Sequence, residues 1–330
     1  MTTAAWIGLL FVLALVAIGA GLLLFTRHIA RKVEAAVPAQ GRFVEVAGNR
    51  LHYVDTADRD ETARSKPPIV LVHGLGAQLQ HMTHSLLDRL AADFRVVALD
   101  RPGTGWSTRK PGSAHGPLAQ ADVVARFIER LRLDRPVVVG HSLGGAVALA
   151  LGLDHPERTR GLVLVAPLTQ PTDDVPAIFQ SLVIHNAVRR RLTAWTLATP
   201  LGIRYGTIVR DTAFGPETAP TDFDVKGGAL LGLRPGSFET ASADLAAIPG
   251  DMPGMKARYG DLAVPVAVVH GDRDAIIPVR TARAFAKQAN APLLVLEDAG
   301  HMVPITRADE VAAFAAQHAR EWFGLRRQAA

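Results

Sequence analysis

The sequence predicts an α/β fold: a doubly wound, mostly parallel eight-stranded sheet, with a helical cap inserted late in the chain and a transmembrane helix at the N-terminus. Three observations predict it. Short apolar runs alternate with longer helical patterns, the arrangement that gives a parallel sheet covered on both faces. This rhythm breaks over residues 168–262, a stretch far longer than one crossover helix needs. At the start, Ala4 to Phe25 runs 22 residues without Asp, Glu, Lys or Arg, enough to span a hydrocarbon core as helix.

Residues 1–33 read as this anchor and its basic flank. A cleaved signal peptide is the alternative, but Lys and Arg are missing from the start, the apolar run exceeds an ordinary signal core, and no Ala-x-Ala site follows closely. Arg27, Arg31 and Lys32 flank the C-terminal end, while only the α-amino group lies on the other side. The positive-inside rule then gives a single-pass protein with its main domain in the cytoplasm, at the inner membrane if bacterial. Residues 34–41, with Ala-Ala, Pro38 and Gly41, read as a linker that lets the domain stand off the bilayer.

The core is assigned to residues 42–167 and 263–330, and residues 168–262 to the cap. Arg42–Val46 and Arg50–Thr56, joined through Gly48-Asn49, predict an opening hairpin. After the polar loop Asp58–Lys66 come six strand candidates: Pro68–Val72, Arg95–Leu99, Val137–Val139, Leu162–Val165, Val264–Val269 and Leu293–Leu296. In the cap, Ile178, Phe179, Leu182, Trp195, Tyr205, Phe214, Leu230, Leu231 and Phe238 are spaced for helices that bury a face. Most are expected to pack the cap onto the core, and a minority to line a pocket.

Composition narrows the function classes. A chain of 330 residues fits one large α/β domain with an insertion. There is no cysteine, which excludes disulfides, cysteine metal ligands and a thiol nucleophile. The net charge of +5 is modest and the basic residues are scattered, with no stripe interleaved with aromatics, so no nucleic-acid partner is expected. Basic residues beside the anchor suit anionic headgroups instead.

The candidate site centres on Gly140-His141-Ser142-Leu143-Gly144-Gly145, between the apolar run Pro136–Val139 and the helical run Ala146–Leu153. A buried strand that turns abruptly into a helix lifts one side chain at its crest, here Ser142, and flanking glycines leave room for the strained backbone. A serine hydroxyl is a poor nucleophile, so it needs a base in reach and a carboxylate to orient that base. Both types follow: Gly271-Asp272-Arg273-Asp274 after one apolar run and Gly300-His301 after another.

The elbow, the downstream order Ser, Asp, His, and His73-Gly74 after the strand Ile69–Val72 resemble the α/β-hydrolase family over roughly Arg42 to the C-terminus. The resemblance implies Ser142 as nucleophile, His301 as general base and acid, and Asp274 as its orienting carboxylate. Asp272 competes with Asp274, and Asp173 or Asp174 is a remoter option; the family's usual placement favours Asp274. It also implies an oxyanion hole from the backbone N–H groups of Leu75 and Leu143, with His73, Gly74 and His141 beside the substrate pocket. Family members that open C–X or C–O bonds by displacement carry aspartate at the elbow, so Ser142 implies acyl chemistry on a carboxylic ester, thioester or related substrate. A cofactor-free lyase, oxygenase or acyltransferase, and a non-catalytic binding module, are the alternatives.

Other features read as structural. His81 and His84 sit three apart on a helix and His185 stands alone, with no third ligand at metal spacing, so no metal and no cofactor is expected. Asp100-Arg101-Pro102-Gly103-Thr104-Gly105-Trp106-Ser107 lacks the Gly-Lys-Ser/Thr ending of a nucleotide loop and reads as a tight structural turn.

Overall fold

The computed structural model describes residues 2–171 and 175–325. Its sheet has eight strands: β1 (Arg42–Val46), β2 (Asn49–Asp55), β3 (Pro68–Val72), β4 (Arg95–Leu99), β5 (Val137–His141), β6 (Gly161–Val165), β7 (Val266–Gly271) and β8 (Leu293–Leu296). Their order is β1-β2-β4-β3-β5-β6-β7-β8; β2 pairs antiparallel with β1 and β4, and all other neighbours are parallel.

The parallel strands are apolar on both sides because both faces are covered. Val70, Val72, Val138, Leu162 and Leu164 face one core, built with α3 (Pro117–Arg130), α4 (Leu143–Asp154) and α8 (Val279–Ala289). The alternate residues Ile69, Leu71, Val137, Val139, Val163 and Val165 face the other, built with α2 (Gln80–Ala91), α9 (Val303–Thr306) and α10 (Ala308–Phe323). Because β3 to β8 run parallel, their C-terminal ends, and the loops that follow them, lie along one edge of the sheet.

Several expected boundaries move: β5 runs on to His141, β6 starts at Gly161, β7 is shifted to Val266–Gly271, and two further shifts have a visible cause. The opening hairpin turns through Ala47-Gly48, both at positive φ (50° and 80°), not through Gly48-Asn49. Asn49 instead opens β2 opposite Val46; its side chain donates to the Val46 carbonyl (3.0 Å) and accepts from the Lys110 N–H (2.9 Å). The first helix, α1 (Thr3–Ala36), runs through the first three residues of the expected linker. Arg31 to Ala36 are mostly good helix formers, and Pro38 restricts the residue before it.

No residue of the most apolar window of α1 is buried, but towards its C-terminal end Thr26 and Val33, with Val37 just beyond it, are buried against the domain. Between β6 and β7 the chain forms α5 (Ala187–Thr193), a π-turn (Ala194–Ala198), α6 (Thr199–Phe214) and α7 (Pro235–Ala257). Pro200 lacks an N–H and crowds the preceding turn, which accounts for the widened π-turn before it. Ile178 and Phe179 pack on the main core, Phe214 and Leu231 are buried, and Tyr205 is exposed.

Candidate active site

Ser142 stands between β5 and α4 with φ 55° and ψ −119°, a left-handed strained backbone that a non-glycine residue rarely adopts. The glycines around it are dictated by contact. A Cβ on Gly140 would lie 2.4 Å from the Gly144 carbonyl oxygen, and one on Gly144 would lie 2.3 Å from that of Val72 and 2.5 Å from that of His73. The start of α4 therefore presses directly on the end of β3. Close approach brings the loop after β3 to the nucleophile: a Cβ on Gly74 would sit 3.0 Å from Ser142 Cβ.

His301 and Asp274 meet across the loops that follow β8 and β7. Nδ1 of His301 donates to Asp274 Oδ2 at 2.7 Å, with both side chains buried. The other carboxylate oxygen, Oδ1, accepts the N–H groups of Ile276 and Ile277, each at 2.8 Å. His270 adds a third side: its Nε2 lies 3.2 Å from Oδ2 and donates to the Ile277 carbonyl at 2.7 Å. Burial pushes the Asp274 carboxyl up, but His301 and the hydrogen bonds from His270 and His301 outweigh it and hold the pKa well below the usual carboxylate range.

Of the competing acids, Asp272 is exposed, accepts from the Ala299 N–H at 3.3 Å and, among the described residues, makes no hydrogen bond to His301. Asp173 and Asp174 lie outside the described residues. Ser142 makes no hydrogen bond to His301 among the described residues. The two residues are linked through His141, the last residue of β5, which leads into the elbow. Its Nε2 donates to the His301 carbonyl at 3.1 Å, and the two rings lie 4.8 Å apart.

Leu143 directly follows Ser142 and, as the first residue of α4, has no N–H partner within its helix, while Leu75 follows Gly74, on which a Cβ would meet Ser142. The side chains of His73 and His141 are engaged with protein rather than open to a pocket. His73 is fully buried, donates from Nδ1 to the Gly74 carbonyl and accepts the Arg101 N–H at Nε2 (3.1 Å). Burial, reinforced by Arg101 at His73 and by His301 at His141, lowers both pKa values and keeps both rings neutral.

Sequence reasoning missed three residues that brace this site. Arg101 is fully buried; it donates to the carbonyls of His73 (3.0 Å) and Gly74 (2.7 Å) and pairs with Asp244 of α7 at 2.9 Å. Glu217 accepts from the Gly300 N–H (3.1 Å), the Thr306 hydroxyl (2.8 Å) and Arg307 Nε (2.7 Å), and so grips the loop that carries His301. His270 is the third. Only Arg101 and His270 carried a sequence signal, by adjoining the Asp100 turn and the Gly271-Asp272 run.

The remaining motifs are structural. Asp100 accepts the N–H groups of Leu79 (2.7 Å) and Trp106 (2.8 Å), and a Cβ on Gly105 would strike its carboxylate at 2.1 Å. His81 packs on Phe223 with ring centres 4.9 Å apart, and its burial, aided by His84, pushes its pKa down to about 4. His84 pairs with Asp222 at 3.0 Å, and His185 is exposed. Among the described residues no cluster of His, Asp and Glu has the makings of a metal site.

The alpha/beta hydrolase family profile matches residues 69–314. The dihydrolipoyllysine-residue acetyltransferase component of the acetoin cleaving system of Cupriavidus necator is 31% identical over 286 residues, spanning 86% of this chain and 70% of that protein. The 2-hydroxy-6-oxononadienedioate/2-hydroxy-6-oxononatrienedioate hydrolase 1 of Pseudomonas putida is 28% identical over 268 residues, spanning 78% of this chain and 88% of that one. Among solved structures, a thermophilic esterase from Thermogutta terrifontis superposes with a TM-score of 0.66 at 25% identity, over 86% of this chain and 98% of the esterase. With the sheet order, the elbow and these matches together, the chain belongs to the alpha/beta hydrolase family.

Proposed function

We propose that this protein is a membrane-anchored serine hydrolase that cleaves a carboxylic ester or related acyl substrate through Ser142, His301 and Asp274. The observation that carries the reading is the buried His301–Asp274 bond beside a serine held at φ 55°. Ser142 Oγ attacks the acyl carbon while His301 takes its proton; the tetrahedral oxyanion accepts from the amides of Leu75 and Leu143. His301 then returns the proton to the leaving alcohol, water attacks the acyl-serine with His301 again as base, and Ser142 is regenerated. Asp274, ionised throughout, keeps the proton of neutral His301 on Nδ1 so that Nε2 faces the serine.

Residues 168–262 serve as a cap in this reading. Four ties between that stretch and the core support it: Glu217 to the His301 loop, Asp244 to Arg101, Gln78 to the Gly227 carbonyl, and Thr240 to the Gly103 carbonyl. The anchor is α1, whose 34 residues include a window of mean hydropathy 2.8 with none of it buried in the chain. Its basic flank favours a cytoplasmic domain, and an apolar substrate suits an enzyme held at a bilayer.

The test is fluorophosphonate labelling of the full chain beside Ser142→Ala, with p-nitrophenyl esters of increasing acyl length. Labelling and turnover that both vanish in the variant are expected. Labelling without turnover on any ester assigns the serine to acyl transfer or lyase chemistry, and a folded protein that resists the probe overturns the catalytic reading.

A further inference from the structure

We infer that the outer face of the helix Ala187–Phe214 is a second membrane contact, lying in the leaflet from which α1 emerges. The inference rests on α1 being the anchor. Along this helix Val188, Leu192, Leu197, Leu201, Tyr205 and Ile208 recur every three or four residues, with one step of five. That longer step falls across the π-turn, whose extra residue keeps the stripe on one face. All six are exposed, Val188 at 77%, Leu192 at 65% and Ile208 at 59%. Such a stripe of large apolar side chains marks an interaction surface rather than ordinary surface composition.

The occupant follows from what lies beside the stripe. The opposite side of the same helix, through buried Ala194 and Thr199, packs inward, and the π-turn and α6 contact α1 directly. The partly covered residues of α1 begin within the apolar span, at Gly19, Leu22 and Leu23, and continue through Thr26 to Val33. The elements that cover them thus stand at the depth where the span leaves the hydrocarbon. The charges agree: the helix Ala187–Phe214 carries Arg189, Arg190, Arg191, Arg204 and Arg210, and its one acid, Asp211, lies at its far end, 3.6 Å from Arg210. An apolar stripe edged chiefly by arginine suits a helix lying in the plane of an anionic interface, sunk roughly 5–10 Å into the headgroup and acyl boundary.

The chain has no cysteine, so an introduced one is the sole thiol. Full-length protein carrying Leu192→Cys, Ile208→Cys, Val12→Cys or Asp134→Cys is labelled with an environment-sensitive fluorophore. Each is reconstituted into nanodiscs of phosphatidylcholine and phosphatidylglycerol, with and without doxyl-labelled lipid. Labels at Leu192 and Ile208 are expected to shift to the blue and to lose at least half the fraction of emission that the Val12 label loses, while the exposed Asp134 label keeps its emission. Quenching at Val12 with none at Leu192 and Ile208 overturns the inference and leaves the anchor standing. No quenching at Val12 overturns the anchor and the inference together. A blue shift at Ile208 without doxyl quenching, abolished at one protein per disc, gives the stripe to a second copy of the chain and likewise overturns the inference.

Discussion

Replacing Asp274 with asparagine isolates what the carboxylate does, because its surroundings dictate how the amide must sit. Oδ1 accepts two backbone N–H groups at 2.8 Å, so the asparagine carbonyl oxygen has to occupy that position. The amide NH2 then replaces Oδ2 and faces His301 Nδ1 across what was a 2.7 Å bond. Two donors cannot share it, so the imidazole proton moves to Nε2 and the ring can no longer accept from Ser142. Loss of the productive tautomer is worth about 10⁴ in kcat, or ~5.5 kcal/mol of transition-state stabilisation. The same NH2 also faces the His270 N–H, at a stability cost of about 1–3 kcal/mol. The assay is kcat and kcat/KM on a short-chain p-nitrophenyl ester, beside urea denaturation and circular dichroism of each variant. A folded Asp274→Asn enzyme that loses less than about tenfold refutes the tautomer argument. Asp272→Asn, at an exposed site, should stay within about twofold, and a larger loss there than at Asp274 would reassign the acid.

Other expectations follow from the same geometry. The depressed folded pKa of Asp274 contributes stability that is present above the unfolded value near 3.8 and lost as pH falls below it. The melting temperature of the wild type should therefore drop more steeply than that of Asp274→Asn between about pH 5 and pH 3; parallel curves would contradict the linkage. Arg101→Met leaves Asp244 with Arg109 at 2.6 Å as remaining partner, so destabilisation at the low end of the range for broken buried pairs, about 3 kcal/mol, is expected in urea, and less than about 1 kcal/mol would be inconsistent. Glu217→Ala should lower kcat by about tenfold by loosening the His301 loop, and Glu217→Gln, which keeps an acceptor for the Gly300 N–H, should recover part of it; equal losses in both would assign the residue to charge rather than to loop positioning.

The sheet was legible in the sequence because each parallel strand is apolar on both faces and bounded by turn residues, a local signal. Pro68–Val72, Arg95–Leu99 and Leu293–Leu296 stand at the residues their pattern implied. The elbow was legible for the same reason: strand, crest and helix are contiguous. What failed was decided by a single backbone angle or by distant contact. Ala47 takes positive φ where sequence favours asparagine or glycine, and only the placement of the Asn49 side chain explains the shift. Glu34 to Ala36 looked like linker, yet Glu34 lies 3.5 Å from Arg234, two hundred positions away, and the helix continues to meet it. Glu217 and Asp244 belong to a stretch without strand rhythm, and their partners on the loops after β4 and β8 are invisible until the fold exists. Asp274 and Asp272 share one loop; their difference is burial, which sequence does not state.

In the anchored hydrolase we propose, the continuity of α1 into its seat on the domain alters how the site meets a substrate held in the bilayer. A tethered domain tumbles, and encounters arrive from any direction. With Thr26, Val33 and Val37 seated and Glu34 paired to Arg234, the proposed anchor and the domain would turn as one body about the membrane normal, and the mouth of the site would keep a fixed height above the lipid. Collisions are then confined to a plane, so turnover of a bilayer-resident ester should track its mole fraction in the surface rather than its amount per unit volume. Diluting the vesicles would leave the rate per enzyme unchanged, whereas diluting the substrate with inert lipid would lower it.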